Sequence, residues 1–300
     1  MSKVAILVPM LNEEKNLGLL FKALCCQTHN DFDVYIQDND SDDHSLIIAK
    51  GFASQDSRFK VFSNSSRLNW HENWLKLAEL VIGEDRYDFI CWLAGDDFWV
   101  DEFYLENLVL ELQQNPQIGA VCPTFHITFP SGEILKKIKV GEGSKFAFKR
   151  IWNLCRDWDN VHHIYGLYRR DVFINLIRSK ISRFTSYLGS DWWWTYNFLA
   201  SDKSRCSNSA IYIKSIEIDE AETEEIYGTE KIKTYLKSVL ICFEPEKKHL
   251  LKIYKARGKF HLIALTVIFF SSKSMSKIMK MHKEILLRRV RIGRRGTYES

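Results

Sequence analysis

Two adjacent carboxylates, Asp96 and Asp97, follow an apolar segment at residues 89–93. Adjacent carboxylates at the end of a strand repel each other unless a cation or a ligand hydroxyl group takes up their charge. Mg²⁺ and Mn²⁺ commonly bind one or two carboxylates and complete their coordination with the phosphates of a substrate. The pair therefore indicates a site for a divalent cation or a sugar, with a solvated acidic loop as the alternative.

Two further polar segments follow apolar ones. Residues 38–43 read Asp-Asn-Asp-Ser-Asp-Asp and follow an alternating segment at 32–37, whereas Asn12 and Glu13 follow an apolar run that ends at Pro9. Asp38 and Asn39 could bond a base edge or a ribose hydroxyl group. A turn or a helix cap is the alternative interpretation for the same residues.

An acid also stands beside a run of aromatic residues. Asp191 follows Gly189-Ser190 and precedes three consecutive Trp residues, of which Trp192 is the first. Neighbouring residues on a helix point about 100° apart, so the three rings cannot all face one core, and one should flank a cleft. A carboxylate beside aromatic rings loses water and becomes a better general base. The alternative is an Asp that caps a buried helix.

Three basic side chains could complete such a site. His163 could ligate a metal or contact a phosphate, although a core histidine is the plainer interpretation. Arg169, in the pair Arg169-Arg170, could contact a diphosphate, and Arg67 could contact a diphosphate or a base. Ordinary exposed arginines are the alternative.

The elements that must position these residues alternate regularly along the first half of the chain. Strand patterns lie at residues 4–9, 32–37, 59–62, 89–93 and 118–129, and helix patterns lie at 13–28, 45–54, 73–81 and 102–114. This alternation is typical of a mostly parallel α/β sheet, which binds ligands at the carboxyl ends of its strands. The polar segments all occupy such ends, so we expect them to meet on one rim.

Length and composition suit one large α/β domain with an extension. The chain has 300 residues, of which 46% are hydrophobic and 27% charged. Seven cysteines without a CxxC pair indicate free thiols in a reducing cytosol. The chain starts without a signal-peptide pattern, and residues 262–270 are too few to span a bilayer. A cytoplasmic protein is therefore expected.

Charge is divided unevenly along the chain. Residues 247–300 hold 15 Lys or Arg and two Glu, so they carry about +13, whereas residues 1–246 carry about −9. A helix at 262–270 with flanking Lys could lie in the interface of an anionic membrane at its inner face. The alternative is a helix packed on the catalytic body with a solvated basic face. The acidic body argues against a nucleic-acid partner.

Taken together, these residues resemble the family 2 inverting glycosyltransferases, which have the GT-A fold. The likeness is clearest over residues 3–124. It is carried by the opening strand and loop, the helix-to-strand link, the acidic turn, the next helix and the double Asp: Val4 to Pro9 with Asn12-Glu13, Gln27-Thr28 with Asp31 to Asp33, Asp38 to Asp43, Asn73 to Ala78, and Ala94 to Asp97. His163, Gly166, Arg169-Arg170 and Gly189 to Asp191 resemble the acceptor side. The family usually has Gly at the position of Asp40 and often Asp at that of Asn39.

The resemblance implies roles for these residues. Asp97 would bind Mn²⁺ or Mg²⁺ that bridges the donor diphosphate, with Asp96 on the ribose or sugar and Asp38 and Asn39 on the nucleoside. Asp191 would deprotonate the acceptor hydroxyl group. The donor would be a nucleotide-sugar, with a UDP-sugar expected, and the acceptor a saccharide or lipid-linked saccharide in surface polysaccharide or glycan assembly.

The resemblance also divides the chain. Residues 1–125 would form the nucleotide-sugar-binding half, 126–218 the acceptor-binding half of the same catalytic domain, and 219–300 a helical basic extension. Two other functions stay open at this point: a non-catalytic carbohydrate- or nucleotide-binding relative, and a sugar-phosphate nucleotidyltransferase. The Gly-rich basic loop of the latter is missing, as are the dinucleotide and P-loop fingerprints.

Overall fold

The structure is a computed structural model that describes residues 2–128, 132–140, 144–147, 149–150, 153, 162–178 and 190–215. For residues 135, 190–193, 196, 201 and 215 it describes the backbone alone. Residues 1–150 and 159–217 form one compact unit, which contains every described residue except Asn153. The predicted basic extension at 219–300 lies outside the described residues.

The described part of the chain is a mixed α/β unit, as predicted. Its strands are β1 Val4–Met10, β2 Phe32–Asp38, β3 Phe59–Ser63, β4 Phe89–Trp92, β5 Phe98–Trp99, β6 Ala120–Thr128, β7 Ile134–Lys139, β8 Leu167–Arg169 and β9 Ser204–Ser215. Its helices are α1 Leu17–Cys25, α2 Ser45–Gln55, α3 Trp70–Ile82, α4 Tyr104–Gln114, α5 Arg170–Arg178 and α6 Ser190–Ser201, with a 3₁₀ helix at His162–Tyr165. None of the helices described is long and apolar enough to cross a membrane.

All the described strands form one mostly parallel sheet in the order β3-β2-β1-β4-β8-β6-β9-β5, with β7 beside β6. The first four in this order run parallel, and so do β6 and β9. β8 runs antiparallel to β4 and β6, and β5 runs antiparallel to β9. The start of β8 and the start of β5 therefore lie at the rim where the parallel strands end.

Helices cover both faces of the sheet, so β1 is buried along its whole length. On one face, Ile6 and Val8 belong to a core that includes Phe21 of α1 and Leu108 of α4. On the other face, Trp92 of β4 is ringed by aromatic side chains of three helices. Burying such large rings supplies much of the hydrophobic stabilisation of a core.

Helix α3 begins three residues earlier than the sequence pattern predicted. Its cap is Asn69, whose side-chain oxygen accepts a hydrogen bond from the backbone N–H of Glu72 at 2.9 Å. This bond satisfies one of the free donors of the first helical turn. The cap fixes the start of α3 directly after the loop that follows β3, so that the helix starts beside the rim.

Candidate active site

The carboxyl ends of the parallel strands are level with one another. Met10 pairs in register with Asp38, which pairs with Ser63. The backbone N–H of Asn39 still donates to the carbonyl of Met10 at 3.0 Å. The loops after β1, β2 and β3 therefore leave the sheet at one rim.

Side chains join the loop after β1 to the loop after β2. The backbone N–H of Asn12 donates to Ser41 Oγ at 3.0 Å, and Asn12 Oδ1 accepts from the N–H of Asp42 at 2.9 Å. The N–H of Glu13 donates to Ser45 Oγ at 2.7 Å. These reciprocal bonds hold the two loops together. Pro9, near the end of β1, is buried.

The two nucleoside-binding candidates after β2 have different surroundings. Asn39 is buried, and its amide pairs with the backbone of Leu68: Nδ2 donates to the carbonyl at 2.9 Å, and Oδ1 accepts from the N–H at 3.0 Å. Asn39 thereby fixes the loop after β3. Asp38 accepts from the N–H of Ser41 at 3.3 Å, but its buried Oδ1 has no hydrogen-bond partner among the described residues. That oxygen can still accept a bond from a ligand.

Arg67 is exposed on the same rim. Its guanidinium donates to the carbonyl of Asp40 at 2.9 Å and to the carboxylate of Asp42. Asp40 has a left-handed backbone with φ of +62°, the conformation that glycine adopts without strain. This conformation explains why the family usually has Gly there, and Asp is among the few other residues that tolerate it.

The loop after β4 packs directly on the loop after β1. A Cβ placed on Gly95 would lie 2.9 Å from Cγ of Glu13 and 3.3 Å from Cβ of Met10. Only glycine allows this close approach without displacing a neighbour. The structure thus brings Asp96 and Asp97 to the same rim as the acids after β1 and β2. Asp96 is partly exposed there.

Asp97 is fully enclosed and has a basic partner that the sequence reasoning missed. Its Oδ2 accepts from Tyr212 OH at 2.9 Å and lies 3.4 Å from Nζ of Lys214. Burial raises the pKa of Asp97 to about 7, although Lys214 opposes that rise. Burial disfavours the ammonium form of Lys214, but Tyr165 and Asp97 outweigh it and raise the pKa of that lysine.

Both partners reach Asp97 because β9 runs beside β5. Phe98 pairs with Ile213, and Trp99 pairs with Tyr212. Asp97, the residue before Phe98, therefore lies opposite Lys214. Tyr212 and Lys214 are two residues apart and therefore share a face of the strand. The two-residue spacing of Tyr212 and Lys214 is visible in the sequence, but no local pattern indicated that their strand would lie beside β5.

The structure places Arg169, one of the two acceptor-side basic residues, away from the acids. Arg169 pairs with Phe89 at the start of β4, the opposite edge of the sheet. Its guanidinium donates to the carbonyls of Leu112, Asn115 and Ile118 after α4. His163 is buried with its ring 6.0 Å from that of Phe198. Arginine at the last carbonyls of a helix is a common stabilising arrangement.

Asp191 and Trp192 lie in the first turn of α6, and their side chains are outside the described part of the structure. The third residue of the Trp triplet is described. Trp194 is buried against Trp92, and its Nε1 donates to Tyr168 OH at 2.8 Å. At least one ring of the triplet is therefore a core residue, and the predicted base role of Asp191 stays a prediction.

A divalent cation fits this rim. Oδ1 of Asp97, like Oδ1 of Asp38, is a carboxylate oxygen with no hydrogen-bond donor among the described residues, and Asp96 adds a partly exposed carboxylate. Nowhere in the described ranges do three or more His, Cys, Asp or Glu side chains gather as a metal cage. A cation would therefore take its remaining ligands from phosphates and water, as Mg²⁺ and Mn²⁺ ordinarily do.

Several solved structures resemble the chain in fold. S. aureus TarS 1-349 in complex with UDP-GlcNAc shares 14% identity, with a TM-score of 0.52 over 79% of this chain and 66% of that one. The mannosyltransferase PcManGT from Pyrobaculum calidifontis, in complex with GDP-Man and Mn²⁺, shares 12% identity, with a TM-score of 0.52 over 97% of this chain and 75% of that one. The chain spans 44% of a longer TarS structure. At these identities the likeness concerns the fold, which is GT-A.

Comparison with curated protein sequences found no match. A family model described as "Glycosyl transferase family 2" matches residues 5–177, more than half of the chain. The match includes the sheet from β1 to β8 and every described rim acid. The chain belongs to glycosyl transferase family 2.

Proposed function

We propose that the chain is an inverting glycosyltransferase that transfers a sugar from a nucleotide-diphosphate sugar to a saccharide or lipid-linked saccharide. The observation that supports the proposal is the rim shared by Asp38, Asp96 and Asp97, with two buried carboxylate oxygens that lack donors among the described residues. Ribose hydroxyl groups and a diphosphate-bound cation are the groups that such oxygens accept. A UDP-sugar is the expected donor, since one of the similar folds is a complex with UDP-GlcNAc.

Each rim residue has a proposed task. Asp38 accepts from the ribose or base, while Asn39 holds the loop that carries Arg67. Arg67 lies beside the nucleoside site, where it can bond the base or the diphosphate. Asp97 would hold Mn²⁺ or Mg²⁺, which when bound offsets negative charge on the leaving diphosphate, and Asp96 would contact the ribose or the sugar.

Transfer is proposed to occur in one displacement. Asp191 takes the proton from the acceptor hydroxyl group, and that oxygen attacks the anomeric carbon from the face opposite the diphosphate. The bond from the anomeric carbon to the diphosphate oxygen breaks as the new glycosidic bond forms, so the configuration inverts. Trp192 is proposed to stack on a sugar ring of the acceptor.

A thermal-shift screen tests the donor part of the proposal. A ligand that binds only the folded protein raises its melting temperature. UDP, GDP and their sugar conjugates are compared with ATP and with sugar phosphates, each with and without Mn²⁺. We expect a nucleoside diphosphate to stabilise the protein more in Mn²⁺ than in EDTA. Stabilisation by a nucleoside triphosphate alone would favour the nucleotidyltransferase function instead.

The basic extension is proposed to bind an anionic membrane surface from the cytoplasmic side, where it would present the catalytic unit to a lipid-linked acceptor. What supports this is composition: residues 247–300 carry about +13 and contain the apolar run at 262–270. Each Lys or Arg close to an anionic surface contributes about 1 kcal/mol. Such binding would be strong in sum and sensitive to salt.

A further inference from the structure

The arginines predicted to contact the donor diphosphate are bonded to other groups of the protein. Arg169 is bonded to three backbone carbonyls at the far edge of the sheet, and Arg170 is bonded to the carbonyls of Ile82 and Glu84. Arg67 is on the rim but is paired with Asp42. Besides a divalent cation, a diphosphate is commonly bonded by positively charged side-chain donors.

Lys214 is a cation at the right place. Its Nζ lies 3.4 Å from Oδ2 of Asp97 and 3.4 Å from the hydroxyl oxygen of Tyr165. Both contacts are longer than a close charge-assisted hydrogen bond, which is usually 2.7–2.9 Å. The contact with Asp97 is an ion pair, but a long one, so the ammonium group can still bond a ligand.

The side chains of Asp97 and Lys214 differ in their exposure to solvent. The side chain of Asp97 has no exposed surface, whereas that of Lys214 is 27% exposed. Lysine carries three N–H donors on its ammonium group. The buried acid therefore anchors a lysine whose side chain is partly exposed, and this lysine lies close enough to the partly exposed Asp96 for their charges to interact.

We propose that Lys214 binds the diphosphate of the donor and is the fixed positive charge of this site. The inference rests on the proposed function, because it assumes a nucleoside diphosphate donor. Asp97 and Tyr165 position the ammonium group, which bonds phosphate oxygens in the bound donor. The same group then offsets charge on the diphosphate as it leaves.

Removal of Lys214 alone would leave Asp97 buried without a cation and could unfold the protein. The test therefore compares Asp97→Asn with the double variant Asp97→Asn/Lys214→Met, which both lack the acid. UDP and GDP are titrated calorimetrically in EDTA, so that no divalent cation contributes in any variant, and uridine and guanosine serve as probes without phosphates. Circular dichroism melting verifies that each variant is folded.

We expect the double variant to bind the preferred nucleoside diphosphate at least about tenfold more weakly than Asp97→Asn, the scale of a lost charge-assisted bond. Nucleoside affinity should stay within about twofold. Lys214→Arg, which keeps the charge, should retain most of the diphosphate affinity of the wild type, and Tyr212→Phe, which removes the other contact to Oδ2, should retain it as well.

Two results would overturn the inference and can be told apart. Equal diphosphate affinity in Asp97→Asn and the double variant would show that Lys214 serves only to neutralise Asp97, while the proposed function would stand. Failure of the wild type to bind any nucleoside diphosphate would remove the proposed function and the inference together.

Discussion

At the scale of single residues, Asp97 joins two properties that seldom occur together. It stands on a rim proposed to bind a ligand, yet its side chain has no exposed surface and depends on Tyr212 and Lys214 for its contacts. An enclosed carboxylate is costly in its charged form. The free energy of unfolding should therefore depend on whether Asp97 is ionised.

We predict that Asp97 makes stability fall as pH rises from about 4 to about 7. An unfolded carboxyl group ionises near 3.8, whereas burial keeps Asp97 protonated until about 7. Between these values the unfolded state binds fewer protons, so raising the pH favours unfolding, by roughly 4 kcal/mol in total.

Urea denaturation of the metal-free wild type and of Asp97→Asn across this range measures the effect. The difference in unfolding free energy between the two proteins should change with pH in the stated direction, because Asn cannot ionise. A difference that stays constant from pH 4 to pH 8 would show that Asp97 is ionised throughout and that its pKa is not raised.

A matched pair of variants at Asp40 tests the left-handed backbone in the nucleoside turn. Asp40→Gly and Asp40→Ala both remove the exposed carboxylate, but only Ala has a Cβ that strains this conformation. We expect Ala to be less stable than Gly by about 1 kcal/mol in urea denaturation. Equal stability would mean that the turn adopts an ordinary backbone conformation in solution.

Local sequence pattern indicated that the polar residues share one rim, but it did not indicate which basic residue lies beside them. Asp38 ends β2, whereas Asn12 and Asp96 lie in the loops that follow β1 and β4, and parallel strands end at one rim, so local pattern predicted that these residues share it. Arg169 lies on β8, which runs antiparallel to β4. Lys214 lies on β9, near the other end of the strand order. Their positions depend on strand order, which the local pattern did not contain.

At the scale of elements, the contact between the loops after β1 and β4 depends on Gly95. An Ala there would require Glu13 or the double-Asp loop to shift. A shift of about 1 Å at a site can lower activity 10²-fold. We expect Gly95→Ala to weaken nucleoside diphosphate binding at least about tenfold, as measured by calorimetry.

Gly51→Ala is the control for that variant. Gly51 lies inside α2 with no atom within 4 Å of an added Cβ. Because Ala favours a helix more than Gly does, this change should raise stability by about 0.5–1 kcal/mol and leave ligand affinity unchanged. If Gly95→Ala bound nucleotides as tightly as this control, the close approach of the two loops would not matter for the site.

Element prediction was most successful where helices and strands alternate regularly. The first four predicted strands and four predicted helices all exist, with ends that differ by a few residues. Helix α1 begins at Leu17 rather than at Glu13, since Glu13 belongs to the loop joined to the β2 turn. The short strands β5 and β8 were not predicted, because two or three residues carry no periodicity.

At the scale of the whole molecule, the uneven distribution of charge along the chain leads to a prediction about membrane binding. Co-sedimentation with anionic vesicles should recover the full chain and lose it when residues 247–300 are deleted or salt is raised, because surface charges are screened. Vesicles of neutral lipid are the matched control. Equal recovery in the supernatant with both vesicle types would remove the membrane proposal.

Transfer of a sugar from a nucleotide-diphosphate donor with inversion can be measured in two steps. Release of nucleoside diphosphate from a panel of UDP- and GDP-sugars is followed in Mn²⁺, and NMR of the anomeric proton then gives the configuration of the product. We expect slow release to water with inverted configuration, lost with Asp96→Asn and reduced about 10²–10⁴-fold with Asp191→Asn, while the latter still binds donor. No release from any donor, retained configuration, or equal rates in all three proteins would show that this rim is not the site of inverting transfer.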